Sequence, residues 1–291
     1  MKCGFKGFLF VTPVVLCCLL VLVYPLIYNI DLSFRQVTFT TLLRGGSPWV
    51  GFKNYRDLAK DPLFLRVLLN TLIFWSGSIV IQFSIGFGFA LLFSKRFPLN
   101  TFYRAVVLLP WFIPIVVSGA VFRWFFSGET GLVNCLLIGL GILAKPIPWL
   151  TNPSIVIYTL TLANIWLGIP FNFIMLFTGL QAIPLELYEC AKVDGANEWQ
   201  TMWYITIPLL RPMAILTILL GTIYTIKVFD LVWIMTTGGP GGASHLFTTL
   251  AYHFAFQRFR FGYSSAVVII MMLIITGIVL TLRRTRIRLE H

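Results

Sequence analysis

The chain has 291 residues, 58% of them hydrophobic and only 11% charged, with mean hydropathy +0.88 and a formal net charge of +12. A soluble globular domain carries roughly 25% charged residues, so the composition excludes one and implies an all-α polytopic membrane protein, built as a single transmembrane domain. The positive charge is no nucleic-acid signature, since no basic run alternates with aromatics able to stack bases; the basic residues gather in loops and tails, where they set membrane topology.

Each membrane crossing needs about 20 mostly apolar residues. Six such segments are expected, near residues 8–28, 71–93, 105–126, 155–178, 213–235 and 264–282. The first is too long for a secretory signal, and no small-residue cleavage site follows it. Five cysteines (Cys3, Cys17, Cys18, Cys135, Cys190) show neither disulfide nor zinc spacing. The segment 31–70 before the second span contains Trp49-Val-Gly51-Phe52-Lys-Asn54-Tyr55. Within the second span, Gln82, Ser84, Gly86 and Gly88 read as residues that let helices approach closely. Arg123, near the end of the third span, reads as a side chain snorkelling to the interface. Residues 127–154 form a turn-rich connection with Gly131-Leu-Val-Asn134 and Pro146-Ile-Pro148-Trp149.

The fourth span carries Asn164, Trp166 and Asn172. Amide hydrogen bonds and an aromatic face are what a sugar needs from its path, while interhelical hydrogen bonding accounts for the same amides. Gly168-Ile-Pro170 predicts a kink or interruption in this helix. In the fifth span Lys227 and Asp230 are three residues apart and expected on one helical face, about 21 Å along the helix from Met213. Ionisable side chains inside a span are functional candidates. Two readings stand: they line a translocation path beside Tyr224, or they form a structural ion pair against another subunit. Residues 236–263 open with Thr237-Gly-Gly-Pro240-Gly-Gly242, which lacks the Gly-Lys-Ser/Thr of a phosphate loop. His245 and His253, eight residues apart and without nearby cysteine, do not read as a metal site. No nucleophile–base set or carboxylate pair gives catalysis a home, and no cofactor is expected on the chain.

One connection reads as a surface rather than a link, at residues 184–212. Pro184 opens a short helix, Glu186 and Glu189 place negative charge in its first turns, and Asp194-Gly195 stops it. Asn197 can cap a second helix with Gln200 three residues on; that helix carries Trp199, Met202, Trp203 and Thr206 until Pro208 and Pro212 are expected to end it. An amphipathic loop lying on the membrane is the competing reading. Between Glu186 and Gln200 the stretch holds four carboxylates and one lysine, the wrong sign for anionic lipid.

Glu189-Cys-Ala-Lys-Val-Asp194-Gly195-Ala196, Trp199-Gln200 and Ile205-Thr-Ile-Pro208-Leu-Leu-Arg-Pro212 resemble the cytoplasmic loop of permeases in binding-protein-dependent ABC importers. In that family a short coupling helix docks on the ATPase subunit, and Cys190 here stands where alanine is usual. The resemblance implies that Glu186, Glu189, Ala191, Asp194, Gly195, Ala196, Trp199 and Pro208 form the coupling surface. It extends through Gly51-Phe-Lys-Asn54-Tyr55, Asn70-Thr71, Gly86 to Leu91, Arg104 to Pro110, Trp166 to Phe171, Phe229 to Trp233 and Gly262-Tyr263, and is similar to the carbohydrate-uptake branch, maltose or glycerol-3-phosphate type. The two extra N-terminal spans and the large external insertion of the maltose version are not expected here. Implied partners are a second permease, two ATPase subunits that hold ATP and magnesium, an extracytoplasmic solute-binding protein and membrane lipid, with no nucleic acid. The implied location is the bacterial inner membrane, with alternating access as the mechanism. A non-sugar solute (polyamine, ion or peptide) and an ATPase-independent secondary transporter are the rival readings.

Six spans put both termini on one side. With the termini cytoplasmic, Lys2, Lys6, Lys95, Arg96, Arg104, Lys192, Arg211, Arg283, Arg284, Arg286 and Arg288 all lie inside, and the loop 184–212 lands beside the ATPases. The tail 287–291 ends in Leu289-Glu290-His291, which reads as an expression-tag scar.

Overall fold

The computed structural model describes residues 3–95 and 97–287, and the described residues are helical with connecting loops. The basic positions Lys2, Arg96 and Arg288 and the closing Leu289-Glu290-His291 lie outside them. In chain order, α1 (Cys3–Cys18) runs through a π-turn (Leu19–Val23) into α2 (Tyr24–Ser33). Two short helices follow, α3 (Phe39–Leu43) and α4 (Lys53–Lys60), before the long α5 (Pro62–Ser94). Next come α6 (Asn100–Phe112), α7 (Ile115–Phe125), α8 (Leu132–Gly139), α9 (Val156–Gln181), α10 (Leu185–Val193) and α11 (Glu198–Thr201). A π-turn (Met202–Thr206) joins α11 to α12 (Ile207–Ile226), followed by α13 (Asp230–Thr236), α14 (Phe247–Tyr252) with a π-turn (His253–Gln257), and α15 (Phe261–Ile287).

Five helical stretches are long and apolar enough to cross a membrane: Val11–Ser33, Pro62–Ser94, Val156–Gln181, Glu198–Ile226 and Phe261–Leu282; the bent pair α6–α7 makes a sixth if counted as one. The fold class is thus the expected all-helical membrane protein, but four elements depart from expectation. The third span is not continuous: α6 and α7 meet at 95°. Pro114 has no N–H to donate and pushes Ile113 into the extended region (φ −86, ψ 126), so the helix cannot pass. The fifth span stops at Ile226, and residues 227–229 separate it from α13. Thr248 Oγ1 donates to the Val228 carbonyl at 2.6 Å, satisfying an acceptor that the broken helix leaves free. Finally, the helix after Asn197 does not end at Pro208 and Pro212. The π-turn at Met202–Thr206 shifts the hydrogen bond of Ile207 to the Met202 carbonyl, which widens the turn ahead of Pro208 and lets the helix continue to Ile226. Pro170 likewise sits inside an uninterrupted α9.

The chain divides into two compact units, residues 1–65 with 250–273, and residues 66–249 with 274–291. In the first unit, the motif around Gly51 closes the end of α2. Gly51 adopts φ +56, a turn open to glycine. Asn54 Nδ2 then donates to the carbonyls of Ser33 (2.8 Å) and Arg35 (3.0 Å), and Tyr55 Oη lies 2.6 Å from Ser33 Oγ. These bonds satisfy carbonyls that a helix C-terminus cannot pair by itself. Across the same unit, Tyr263 Oη donates to Asp61 Oδ2 at 3.0 Å and the Gly262 N–H to the Val37 carbonyl at 3.2 Å.

The second unit is organised on α9. One core joins α5, α9 and α13 through Phe74, Leu160, Ala163, Leu231, Val232 and Met235; another joins α5, α9 and α12 through Ala90, Phe93, Phe173, Leu176 and Leu210. Small residues bring the backbones close. A Cβ on Gly86 would lie 2.6 Å from Asn172 Cβ and 2.9 Å from the Phe173 backbone nitrogen, and one on Gly179 would lie 2.7 Å from Leu210. Gly88 and Ser84 take no part: nothing lies within 4 Å of a Cβ built on Gly88, and Ser84 is exposed with its hydroxyl donating to Val80. After α5, Asn100 Nδ2 donates to the carbonyls of Phe93 (3.2 Å) and Lys95 (2.6 Å). Arg104 Nη2 donates to the same Phe93 carbonyl (2.5 Å), and its guanidinium lies 4.4 Å over the Phe177 ring. In the connection before α9, buried Asn134 is the hub. Its Nδ2 donates to the Gly128 and Ile147 carbonyls, and its Oδ1 accepts from the Ile147 N–H (3.1 Å) and Trp149 Nε1 (2.9 Å).

Two predictions follow from this packing. Asn134→Ala orphans the half-buried Ile147 N–H and the Trp149 indole donor, at about 1 kcal/mol each; a lower melting temperature of the purified protein and faster proteolysis within 127–154 are expected. Gly86→Leu forces α5 off α9 and is expected to lower the melting temperature further than Gly88→Leu, whose site is open.

Candidate functional site

Both helix breaks open onto one cavity of about 490 Å³ in the second unit. Its wall includes Pro110, Trp111, Ile113 and Ile115 from the α6–α7 break, Lys227 to Leu231 from the α12–α13 break, and Gln82, Asn164, Gly168, Phe171, Gly221, Tyr224 and Thr225 from the helices around them. Discontinuous helices meeting at a cavity are the places where a membrane protein can present backbone and charge to a solute. Three aromatic rings stand in sequence along this wall. Trp111 meets Phe171 edge to face at 6.4 Å, Phe171 meets Tyr224 in the same manner at 5.6 Å, and the Lys227 ammonium lies 5.1 Å from the Tyr224 ring centre. The series presents apolar faces and edges with a cation at its end.

Four of the six pathway residues expected from the sequence come together here: Asn164, Tyr224, Lys227 and Asp230. The expected helical pairing of Lys227 with Asp230 is corrected. Lys227 caps the end of α12 and Asp230 begins α13, so no single helical face carries both, and no ion pair joins them among the described residues. Each instead sits at the helix end whose dipole suits it, the cation at a C-terminus and the carboxylate at an N-terminus. Asn164 serves packing as well as lining: its Nδ2 donates to Ser78 Oγ (2.9 Å), and its carbonyl accepts from Gln82 Nε2 (2.8 Å). Trp166 and Asn172 stand outside the lining. Trp166 packs edge-on to Phe122 at 5.4 Å, and buried Asn172 donates to the Gly168 carbonyl at 2.9 Å against the Gly86 contact. Sequence reasoning missed Gln82, Trp111, Phe171 and Thr225 as wall residues. The paired prolines Pro110 and Pro114 were a legible sign of a break beside Trp111, whereas nothing in Ile226-Lys-Val-Phe-Asp230 marks the second one.

The stretch 184–212 forms the second candidate surface. α10 ends in a Schellman motif: the Ala196 N–H donates to the Ala191 carbonyl (2.9 Å), the Gly195 N–H to Lys192 (3.1 Å), and Gly195 takes φ +77. Asn197 and Gln200 form the expected reciprocal capping box, both bonds at 2.9 Å. Ala191 and Thr206 face inward, with Tyr188 Oη 3.2 Å from Thr206 Oγ1. The outer surface is apolar: Leu185, Val193 (88% exposed), Trp199, Trp203 and Tyr204 (80% exposed) are uncovered, beside the exposed carboxylates Glu186 and Glu189. Glu198 meets Lys95 of the α5–α6 turn at 3.4 Å. Apolar side chains exposed beside charge are what an interaction surface needs. Among the described residues no three His, Cys, Asp or Glu side chains gather as a metal site.

Residues 82–287 match the family described as the binding-protein-dependent transport system inner membrane component. The trehalose/maltose transport system permease protein MalF of Thermococcus litoralis is 32% identical over 270 residues, covering 92% of this chain and 89% of the relative. The sulfoquinovosyl glycerol transport system permease protein SmoG of Agrobacterium fabrum is 33% identical over 284 residues, covering 96% and 90%. In a crystal structure of a bacterial ABC transporter involved in the import of the acidic polysaccharide alginate, one chain superposes with a TM-score of 0.85 at 25% identity, covering 99% of this chain and 96% of that one. With more than two thirds of its length inside the family match, this chain belongs to the inner membrane components of binding-protein-dependent transport systems.

Proposed function

We propose that the chain is one membrane half of an ATP-driven importer for a sugar, an oligosaccharide or a glycerol-phosphate-like solute, working by alternating access. The observation that carries this reading is the cavity at the two helix breaks, where an aromatic series, amides and two charges without an ion-pair partner among the described residues surround a space of about 490 Å³. Aromatic faces suit the apolar side of a sugar ring, while Asp230, Gln82 and Thr225 suit its hydroxyls. The sugar and sugar-acid cargoes in the names of similar proteins support the same class. A second permease is the partner that would complete the pathway, and two ATPase subunits would supply the chemistry this chain does not perform. An external binding protein would deliver cargo from the side opposite the stretch 184–212, with both termini cytoplasmic.

The uncovered aromatics of that stretch supply the docking surface. Leu185, Val193, Trp199, Trp203 and Tyr204 fill an ATPase groove, and Ala191, Asp194, Gly195 and Ala196 hold the knuckle in shape. Closure of the ATPases then reaches the bundle through the uninterrupted helix from Glu198 to Ile226, which ends at the cavity wall. Pro208 sits on this lever, just after its π-turn.

Co-expressed with its neighbouring genes and reconstituted, the complex is expected to hydrolyse ATP faster only when a loaded binding protein is added, with sugars and glycerol phosphates screened as cargo. Solute flux through the lone chain, with no ATPase bound, would replace the importer by a secondary transporter. A Cβ at Gly195 meets nothing within 4 Å, so Gly195→Val strains only the left-handed backbone, by about 1–2 kcal/mol. The variant should still assemble on co-purification while uptake drops severalfold. Trp111→Ala should raise the half-saturating cargo concentration about tenfold, with basal ATP hydrolysis unchanged.

A further inference from the structure

The inner cavity is not isolated. α7 and α13, which pack on each other along their length, lead from it to a second, open cavity of about 410 Å³. Ile115 at the start of α7 and Asp230 at the start of α13 line the inner cavity, while Arg123, Ser127, Met235 and Thr236 at their far ends line the outer one. Ile115 and Arg123 are eight residues apart, about 12 Å along the helix.

The outer wall is chemically one-sided. Its polar side chains are Arg123, Ser127, Thr151, Thr236 and Thr237, and no carboxylate lines it; Glu129, the nearest in sequence, is exposed and outside the lining. Arg123 commits Nη1 to the Ile234 carbonyl at 3.3 Å and has no carboxylate partner among the described residues. Ser127 Oγ is buried without a hydrogen-bond partner. The hydrogen bond to Ile234 ties the guanidinium to α13 at this wall, which a purely interfacial snorkelling role does not require. Deeper in, Lys227 is again without a carboxylate partner among the described residues, so the two cavity walls together carry two cations against the single carboxylate of Asp230.

We propose that the outer cavity is an entry site for a cargo whose sugar or polyol bears an anionic substituent, a carboxylate, sulfonate or phosphate, and that Arg123 receives this anion before it passes to Lys227. A guanidinium fork matches the oxygen geometry of all three groups, and the surrounding hydroxyls supply donors for the remaining oxygens. Uncompensated positive charge at the mouth of a path also raises the local concentration of anions. This assignment rests on the sugar-importer reading and narrows it to acidic cargo.

The test uses the whole importer, reconstituted with its co-encoded partners, and probe pairs that differ only in the anion: a neutral disaccharide against its uronic acid counterpart, and glycerol against glycerol 3-phosphate. Only the anionic member of a pair should drive uptake and ATP hydrolysis, increasingly weakly at high salt. Arg123→Gln should raise the half-saturating concentration about tenfold, and Arg123→Lys should restore part of the loss. Uptake of the neutral member as efficient as the anionic one, or unaltered uptake in Arg123→Gln, overturns the entry site while leaving the sugar importer intact. ATP hydrolysis indifferent to every probe removes both. The wild-type comparison stands even where Arg123→Gln fails to assemble.

Discussion

In a hydrocarbon environment each backbone N–H and C=O without a partner costs several kcal/mol, so a helix can break there only where neighbours take up the freed groups. This constraint governs the second unit. At the α6–α7 bend, Pro114 lacks the N–H that would otherwise be orphaned, and the chain turns through 95°. At the α12–α13 break the Val228 carbonyl is claimed by Thr248 Oγ1. Both breaks face the same cavity, and the unbroken α9 packs against the helices around it. α9 therefore carries the rigidity that the broken helices lack. Half of its most apolar window is buried within the chain, against none for Val11–Ser33 near the N-terminus, which leaves the latter's apolar side chains for lipid or partner chains.

The charges at the α12–α13 break follow from the same constraint. An ion pair inside a membrane is a way to hold two charges without water, yet Lys227 and Asp230 are not paired. They sit at opposite helix termini, where the dipoles offset part of their cost, and Lys227 gains the face of Tyr224. Charges held in this way keep their hydrogen-bonding capacity. A tight pair would have consumed it.

At the other end of α12, a π-turn ahead of Pro208 lets the helix from Glu198 run uninterrupted towards the cavity. The knuckle itself is stiffened locally, by the Schellman motif around Gly195 and the capping box of Asn197 and Gln200. Its tryptophans Trp199 and Trp203 remain exposed within the chain.

Everything decided by local rules was legible in the residues. Apolar composition determined the membrane class; Asp194-Gly195 and Asn197-to-Gln200 determined the stop and the cap, because each depends on bonds within six residues. The close approach at Gly86 was also readable, since only a missing Cβ permits it. Tertiary contacts decided the rest. Pro170 and Pro208 look alike as helix breakers, yet helices pass through both, one held in a packed core and the other relieved by a π-turn. No proline or glycine marks residues 227–229; the break there is accommodated by Thr248, twenty residues on, which satisfies the Val228 carbonyl. Asn164 and Asn172 share one helix, but only Asn164 reaches the cavity, because α5 covers Asn172. Sequence spacing specifies which side of a helix a residue occupies, and only the packing of the other helices decides whether that side meets solute, protein or lipid.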